Sequence, residues 1–476
     1  MNVLMISSEA VPFCKTGGLA DVVGALSSAL AEEKVDARVL LPLYGSIDRT
    51  GMSDSGVSGT VRVCGSEEPI QFLTKMVGDV PYYFLEHPWF SSRPGVYGET
   101  SFAPYVDNLE RFTILDKAAF VLCKKLGWKP DVMHCHDWTS GFVPYLLHIS
   151  DDPFFKKTRS MMTIHNLAYQ GSYSRLDFLK TDMRGDEKLF TGTGSGKQCN
   201  MLKSGLEFAD SITTVSPTYA KEIQTSEYGC GLEGLLKSRS SSLTGILNGI
   251  DYGEWNPEKD QFLEYHFSAK NLSGKTKMKL AIQKDFSLTV DEHIPLIAMI
   301  SRIADQKGFA ELLSGDECAL ERIVRYSKVQ MVIIGTGDKA MEEKMEALGR
   351  KYENLSVNIM FSNKYAHRLE AGADFFLMPS RFEPCGLNQL YSLRYGTIPI
   401  ARKTGGLADS IIDADEDKEK GTGFLFTEES GDEIEKTVLR ALDHYPDIDG
   451  MRVRGMENDF TWEHSARSYF SLYGIQ

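Results

Sequence analysis

The chain has 476 residues, 42% hydrophobic and 25% charged, with a net charge of −14. That length exceeds one ordinary core and calls for two or more domains; the acidic balance, with no long Lys/Arg run, argues against a general binder of nucleic acid or membrane surfaces. Eight cysteines lie singly with no C-x-x-C pair, which disfavours zinc and disulfide frameworks, and the absence of a targeting segment or a membrane-length apolar run makes the cytoplasm the expected location.

Residues 2–8, "NVLMISS", form a short apolar run and read as a buried strand. A loop follows, then "LADVVGALSSALAEE", whose Leu19, Val22, Val23, Leu26 and Leu30 share one helical face. "SGTVRV" and "VPYYFLEH", around residues 57 to 86, read as an inserted antiparallel set. Further strands are "ARVLLPLY", "DVMHCHD", "SMMTIHN" and "SITTVSP", with helical patterns such as "LERFTILDKAAFVLCKKLG" between most of them. Turn residues crowd in "ILNGIDYGEWNPEKD", and the alternation then starts again. Its strands are "IPLIAMISR", "VQMVIIG", "SVNIMF", "ADFFLMPS" and "IPIARK"; its helices include "KAMEEKMEALGRKY" and "GLNQLYSLRYG". Alternation on this scale predicts parallel sheets with helices on both faces. Two such sets predict an α/β protein of two Rossmann-like domains facing a deep cleft: 1–247, a hinge at 248–256, and 257–458.

"KTGGLAD" occurs twice, at Lys15–Asp21 and at Lys403–Asp409, each time where a strand ends and a helix begins. Open parallel sheets bind ligands at the carboxyl ends of their strands. Paired glycines admit close backbone approach, and a helix N-terminus offers N–H groups to an anion. One copy alone is most simply a helix start; two at matching junctions favour ligand loops. "SRIADQKG" sets Arg302 and Lys307 in a loop after a buried strand, which suits a diphosphate and equally suits two solvated surface cations. In "PSRFEPCGLNQLYSLRYG" a strand ends at Ser380, Glu383 lies in the loop and Gly386 opens a helix. The backbone N–H groups of Gly386, Leu387 and Asn388 then form an anion site, and Glu383 either accepts from sugar hydroxyls or caps the helix.

In "MHCHDW", His134 and His136 alternate on a strand and are expected on opposite faces, which disfavours a shared metal ion. Asp137 at the strand end reads as a ligand-facing carboxylate. His165, in "TIHNLAYQG", lies at the same sheet edge as Lys15 and Asp137 and reads as functional rather than as core. Two patterns fail. "TGTGSGKQ" has Thr191 where a P-loop needs its first Gly and Gln198 where it needs Ser or Thr. "GTGDKA", residues 335–340, matches G-x-G-x-x-A, but the next strand ends in Phe361 where a dinucleotide site wants an acid. A phenyl ring there suits stacking on a base.

These stretches together resemble the bacterial glycogen synthase family, which includes the plant starch synthases, over the full length. The resemblance is carried by "KTGGLADVVGAL", "HDW", "HNLAYQG", "TTVSPTYAKEI", "YGCGLEGLL", "ILNGID", "SRIADQKG", "SRFEPCGLNQLYSLRYGTIPIARKTGGLAD" and "FTWEHSA". It implies a GT-B glycosyltransferase whose C-terminal helix, within 459–476, crosses back to the first domain. The implied reaction needs no metal and no cofactor: glucose passes from ADP-glucose to the 4-OH at the non-reducing end of an α-1,4-glucan such as glycogen, with retention.

By the same resemblance Glu383 is the essential glutamate and His165 the active-site histidine near the transferred glucose. Arg302 and Lys307 are the cations on the donor diphosphate. Lys15 and Gly18 contact donor or acceptor with Asp21 nearby, Asn248 contacts sugar, and Phe361 stands where the family commonly has Tyr against adenine. Thr404, Gly405 and Gly406 are expected to close the phosphate pocket. The sequence departs from relatives at three points. Tyr391 stands where many retaining GT-B enzymes have a second Glu, Asn388 replaces a common Thr, and Thr139 replaces a common His. UDP-glucose as donor, an epimerase of the same architecture, a phosphorylase and an inactive glucan-binding protein remain as alternatives.

Overall fold

The computed structural model describes residues 1–100, 103–193 and 196–474. Gly194 and Ser195 of "TGTGSGKQ", and Ile475 and Gln476 of the expected crossing helix, lie outside the described residues. The chain divides into two compact units, Met1–Gly249 with Trp462–Gln476, and Ile250–Thr461.

The first unit is built on β1 (Asn2–Ile6), β2 (Asp36–Pro42), β3 (Ser53–Val63), β4 (Ser66–Val77), β5 (Val80–Glu86), β6 (Val132–His136), β7 (Arg159–Ile164), β8 (Ser211–Thr214) and β9 (Leu243–Gly245). Among the described residues these make one sheet in the order β9-β8-β7-β6-β1-β2-β5-β4-β3. Helices α1 (Gly18–Glu32) and α2 (Asn108–Leu126) follow the apolar stripes of their sequences. Val3 to Ile6 are fully buried, as a central strand covered on both faces requires.

One expectation is corrected in part here. β3, β4 and β5 do run antiparallel to one another in turn, but "VPYYFLEH" is not confined to an inserted set: β5 also runs parallel to β2, with Val39 opposite Tyr82, and so joins the antiparallel extension to the parallel sheet. Its near-continuous buried run, Tyr82 to Leu85, belongs to an interior parallel strand, whereas burial in β3 alternates in places as on a half-exposed edge.

The second unit carries β10 (Leu296–Ile300), β11 (Gln330–Gly335), β12 (Leu355–Ile359), β13 (Phe375–Met378), β14 (Ile398–Arg402) and β15 (Phe424–Phe426), parallel in the order β12-β11-β10-β13-β14-β15. Period-two alternation divides its apolar side chains between two cores. Ile297, Met299, Ile333 and Leu377 pack on one face; Leu296, Ala298, Ile334 and Met378 pack on the other. Helix α3 (Asn388–Arg394) and helix α4 (Gly405–Ser410) follow β13 and β14.

From Ile250 onward the segment expected as a hinge packs into the second unit. Trp255 lies between His367 and Tyr391, with ring centroids 3.8 and 3.6 Å away and planes nearly parallel. The Ile250 N–H donates to the Phe460 carbonyl at 2.8 Å, so the unit's two ends lie side by side. The last helix, α5 (Trp462–Tyr473), returns to the first unit, where Tyr469 and Tyr473 are fully buried in the core. Among the described residues no helix is long and apolar enough to cross a membrane.

Candidate active site

Among the parallel strands of each sheet the order reverses once, between β1 and β6 in the first unit and between β10 and β13 in the second. Crevices at the carboxyl ends of such strand pairs are where open α/β sheets hold ligands. In the second unit this crevice is a pocket of about 200 Å³, lined by Arg302 and Lys307 after β10 and by Ser380, Glu383, Gly386, Leu387 and Asn388 after β13. The Lys307 Nζ donates to Glu383 Oε2 at 2.5 Å, and Ser380 Oγ donates to the same oxygen at 3.1 Å. The Glu383 side chain is buried and the Lys307 side chain one-fifth exposed. Arg302 is exposed and touches Gln306 Oε1 at 3.3 Å.

The helix beside Glu383 starts two residues later than expected. Gly386 has φ +70°, outside helical space, Leu387 is the N-cap and α3 begins at Asn388. The Asn388 side chain donates to the Ile300 carbonyl at 2.8 Å and ties the start of α3 to the end of β10.

The second "KTGGLAD" follows β14. Thr404 is the N-cap of α4, and Gly405 has φ +44°. A Cβ on Gly405 would lie 2.0 Å from the Glu383 carbonyl, and one on Gly406 2.0 Å from the Cys385 carbonyl. The close approach these glycines permit is therefore to the backbone of the Glu383 loop, and the Gly406 N–H donates to the Glu383 carbonyl at 3.1 Å. Lys403 pairs with Glu416 at 3.0 Å. The "GTG" at 335–337 has a similar use: a Cβ on Gly335 or Gly337 would strike the carbonyls of Ser301 or Ile303, beneath the Arg302–Lys307 loop.

In the first unit the loop after β1 is organised by Glu9. This carboxylate, 2% exposed, accepts from the Thr16 hydroxyl at 2.7 Å, the Tyr97 hydroxyl at 2.5 Å, the Gly17 N–H at 3.3 Å and the Thr16 N–H. Gly17 is extended, and a Cβ there would meet nothing within 4 Å. Lys15 pairs with Asp21 at 2.8 Å, and Gly18 is the first residue of α1.

At the ends of β6 and β7, the Asp137 Oδ1 accepts the His165 N–H at 2.7 Å. Burial pushes the Asp137 carboxyl up to about 7 and the His165 imidazole down to about 3. The His165 Nε2 lies 3.0 Å from His136 Nδ1. Here a second expectation is corrected: His134 and His136, two apart on a strand, point to the same face, and their rings are 4.2 Å apart. His134 is engaged by the Tyr473 hydroxyl at 2.7 Å and by Thr163 Oγ1 at 2.6 Å. Among the described residues no group of three or more His, Cys, Asp or Glu is placed to hold a metal ion.

Arg302, Lys307, Glu383, Gly386, Leu387 and Asn388 thus line one pocket of the second unit. Lys15, Gly18, Asp21, Asp137 and His165 sit at the carboxyl edge of the first unit's sheet. Asn248 is buried past β9, and its Oδ1 has no hydrogen-bond partner among the described residues. Phe361 lies just past β12, 91% exposed and not among the residues lining the pocket. Sequence reasoning missed Glu9, Tyr97, Ser380 and the ring contact of His136. Only Glu9 carried a signal, an acid three residues past a buried strand.

Residues 2–238 match the family described as starch synthase catalytic domain, and residues 282–454 the one described as glycosyl transferases group 1. Glycogen synthase of Treponema denticola is 41% identical over 483 aligned residues, covering 99% of this chain and 98% of that one. The chain belongs to the glycogen synthase family. Glycogen synthase of Anaeromyxobacter dehalogenans is 42% identical, with 99% and 98% covered. The solved catalytic domain of starch synthase IV from Arabidopsis thaliana, bound to ADP and acarbose, superposes with a TM-score of 0.89 at 32% identity, with 99% and 98% covered. Sucrose-phosphate synthase from Thermosynechococcus elongatus, at a TM-score of 0.61 and 16% identity, shares the fold. Membership of the glycogen synthase family makes this chain a glycosyltransferase of glucan synthesis, with the two α/β domains of the GT-B fold.

Proposed function

We propose that this enzyme elongates an α-1,4-glucan by transferring glucose from ADP-glucose to the 4-OH of the non-reducing end, with retention of configuration and release of ADP. The observation that carries the reading is the Lys307–Glu383 pair, 2.5 Å apart at the strand-order reversal of the second unit. A diphosphate entering that pocket meets Lys307, the exposed Arg302 guanidinium and the amides at the start of α3. Lys307, paired with Glu383, and the amides of α3, tied to β10 through Asn388, are held in place before the reaction, so they favour the charge that grows on the departing phosphate oxygen. Glu383, its charge balanced by Lys307, accepts hydrogen bonds from hydroxyls of the transferred glucose.

In this reading the bond from C1 to the phosphate oxygen breaks and the bond from C1 to the acceptor O4 forms on the same face. The acceptor proton passes to the departing phosphate oxygen. No carboxylate nucleophile of the two-step kind is assigned. The second unit takes the donor, with Phe361 stacking on adenine and Thr404, Gly405 and Gly406 closing the phosphate pocket. The first unit takes the acceptor: Lys15, Gly18, Asp21, Asn248 and Asp137 contact sugar or donor, and His165 faces the transferred glucose. The solved starch synthase carries ADP, which supports ADP-glucose over UDP-glucose. A cytoplasmic setting fits these substrates.

The test supplies labelled ADP-glucose or UDP-glucose, each with and without glycogen. The expected result is label in polymer from ADP-glucose when glycogen is present, released again by an enzyme specific for α-1,4 links. Donor turnover without chain growth would overturn the reading in favour of an epimerase, and preference for UDP-glucose would overturn the donor assignment.

A further inference from the structure

His136 and His165 make a hydrogen bond between two buried imidazoles, Nδ1 to Nε2, at 3.0 Å. Burial keeps both neutral, His165 pushed down to about 3 and His136 well below the ordinary histidine value. One proton therefore lies between them, and two tautomer pairs can supply it. In the first, His165 donates from Nε2, and His136 must carry its own proton on Nε2. That nitrogen is buried and has no hydrogen-bond partner among the described residues, so this pair strands an N–H. In the second, His136 donates from Nδ1, its buried Nε2 is left with an unmet lone pair, and the remaining N–H sits on His165 Nδ1, which is not among the buried atoms left without a partner. Buried N–H groups without partners are the rarer defect in folded proteins. The second pair is favoured, and it leaves the His165 proton on Nδ1.

We propose that His136 is a positioning residue that fixes His165 in the Nδ1–H tautomer, so that His165 meets the substrate as a neutral hydrogen-bond donor. The proposal rests on the reading of His165 as the group facing the transferred glucose. Adjacent residues of one strand end then act together on His165, because Asp137 holds its main chain at 2.7 Å and His136 holds its ring. The strand register makes this reachable, because β6 and β7 pair in parallel with His136 opposite Thr163, two residues before His165. A neutral donor orients a sugar hydroxyl without adding a charge.

The tautomer is read directly in wild-type protein labelled with [15N]histidine. With ten histidines in the chain, the His165 signals are identified as those lost in His165→Gln. Protonation of His165 at Nδ1 is expected; protonation at Nε2 overturns the proposal. Kinetics give an independent reading. His136→Asn keeps an N–H donor near the position of imidazole Nδ1, and His136→Phe removes it. His136→Phe is expected to lower kcat roughly 10- to 100-fold, the scale seen when a group that orients a metal-ligating histidine is lost. Its donor KM should change by less than about twofold, and His136→Asn should recover most of kcat. Equal losses in both variants, or a change confined to KM, count against the proposal. Should His136→Phe fail to fold, the wild-type spectrum and the Asn variant still decide. His165→Gln separates the two readings: full activity there sinks the assignment of His165, whereas impaired activity with an Nε2–H spectrum sinks only the inference about His136.

Discussion

Lys307 faces two anions: Glu383 and, in the proposed reaction, also the departing phosphate. Lys307→Ala removes both interactions, with separable consequences. Catalysis should fall by about 10²-fold or more in kcat, because the lost contact strengthens toward the transition state. Stability should fall too, because Glu383 is left buried without its cation. The loss should stay below the roughly 3–5 kcal/mol of a fully buried pair, since Lys307 is partly exposed. Adding Glu383→Gln should restore the melting temperature and leave kcat low; an unchanged kcat in Lys307→Ala would remove Lys307 from the site. Phe361 is the opposite case. Its ring is 91% exposed and supports no core, so Phe361→Ala should leave the melting temperature unchanged. In calorimetric titration it should weaken ADP binding by roughly 1–3 kcal/mol, the worth of one stacked base. Equal affinity would place the base elsewhere. At this scale the sequence was readable where strand-end position brings residues to one place, as for Lys307 and Glu383, which meet in one pocket. It was not readable where a residue's role depends on a tertiary partner. Glu9 meets Thr16, Gly17 and Tyr97, and His136 meets the His165 ring just past the neighbouring strand, only once the chain has folded.

The two "KTGGLAD" elements share letters and a place in the fold, but their glycines answer to different neighbours. Gly406 lies against the Glu383 loop, with the Cys385 carbonyl 2.0 Å from where a Cβ would stand, whereas Gly17 faces open space. Gly406→Ala should therefore displace the Glu383 loop, lowering both melting temperature and kcat, with a stability cost of about 1–3 kcal/mol as for overpacking elsewhere. Gly17→Ala should leave stability within about 0.5 kcal/mol of wild type, as at open surface positions. Thermal melts and kcat for the pair test this, and equal losses would mean the two loops are packed alike. The sequence located both elements, because an apolar run followed by paired glycines and a helical stripe is a local pattern. It did not reveal what the glycines approach, because the carbonyls of Glu383 and Cys385 reach them only through folding. The same limit explains β5. Its antiparallel pairing is with β4, its neighbour in the chain, while the parallel partner that the sequence did not reveal, β2, lies far earlier.

Across the whole molecule the second unit is an insertion within the first, entered at Ile250 and left at Thr461. Its ends are joined by the Ile250–Phe460 backbone bond and by the Tyr252 hydroxyl donating to the Asn458 carbonyl at 3.1 Å. A fragment of residues 250–461 is therefore expected to unfold alone in one cooperative transition. A chain stopped after Thr461 loses Tyr469 and Tyr473 from the first unit's core, along with the hydroxyl on His134. Losing one buried aromatic side chain costs roughly 3–5 kcal/mol, so calorimetry should show the first unit's transition lowered or absent and the second unit's unchanged. A first unit that melts as in the full chain would contradict this. The same insertion sets an order of events during synthesis. At ~5–20 residues per second, roughly 10–40 s of translation separate Gly249 from Trp462. Through that interval the nascent first unit carries a finished sheet with an unfilled apolar seat for α5. The unit begun second can close on itself as soon as Thr461 leaves the ribosome, so the unit begun first is the last to be completed.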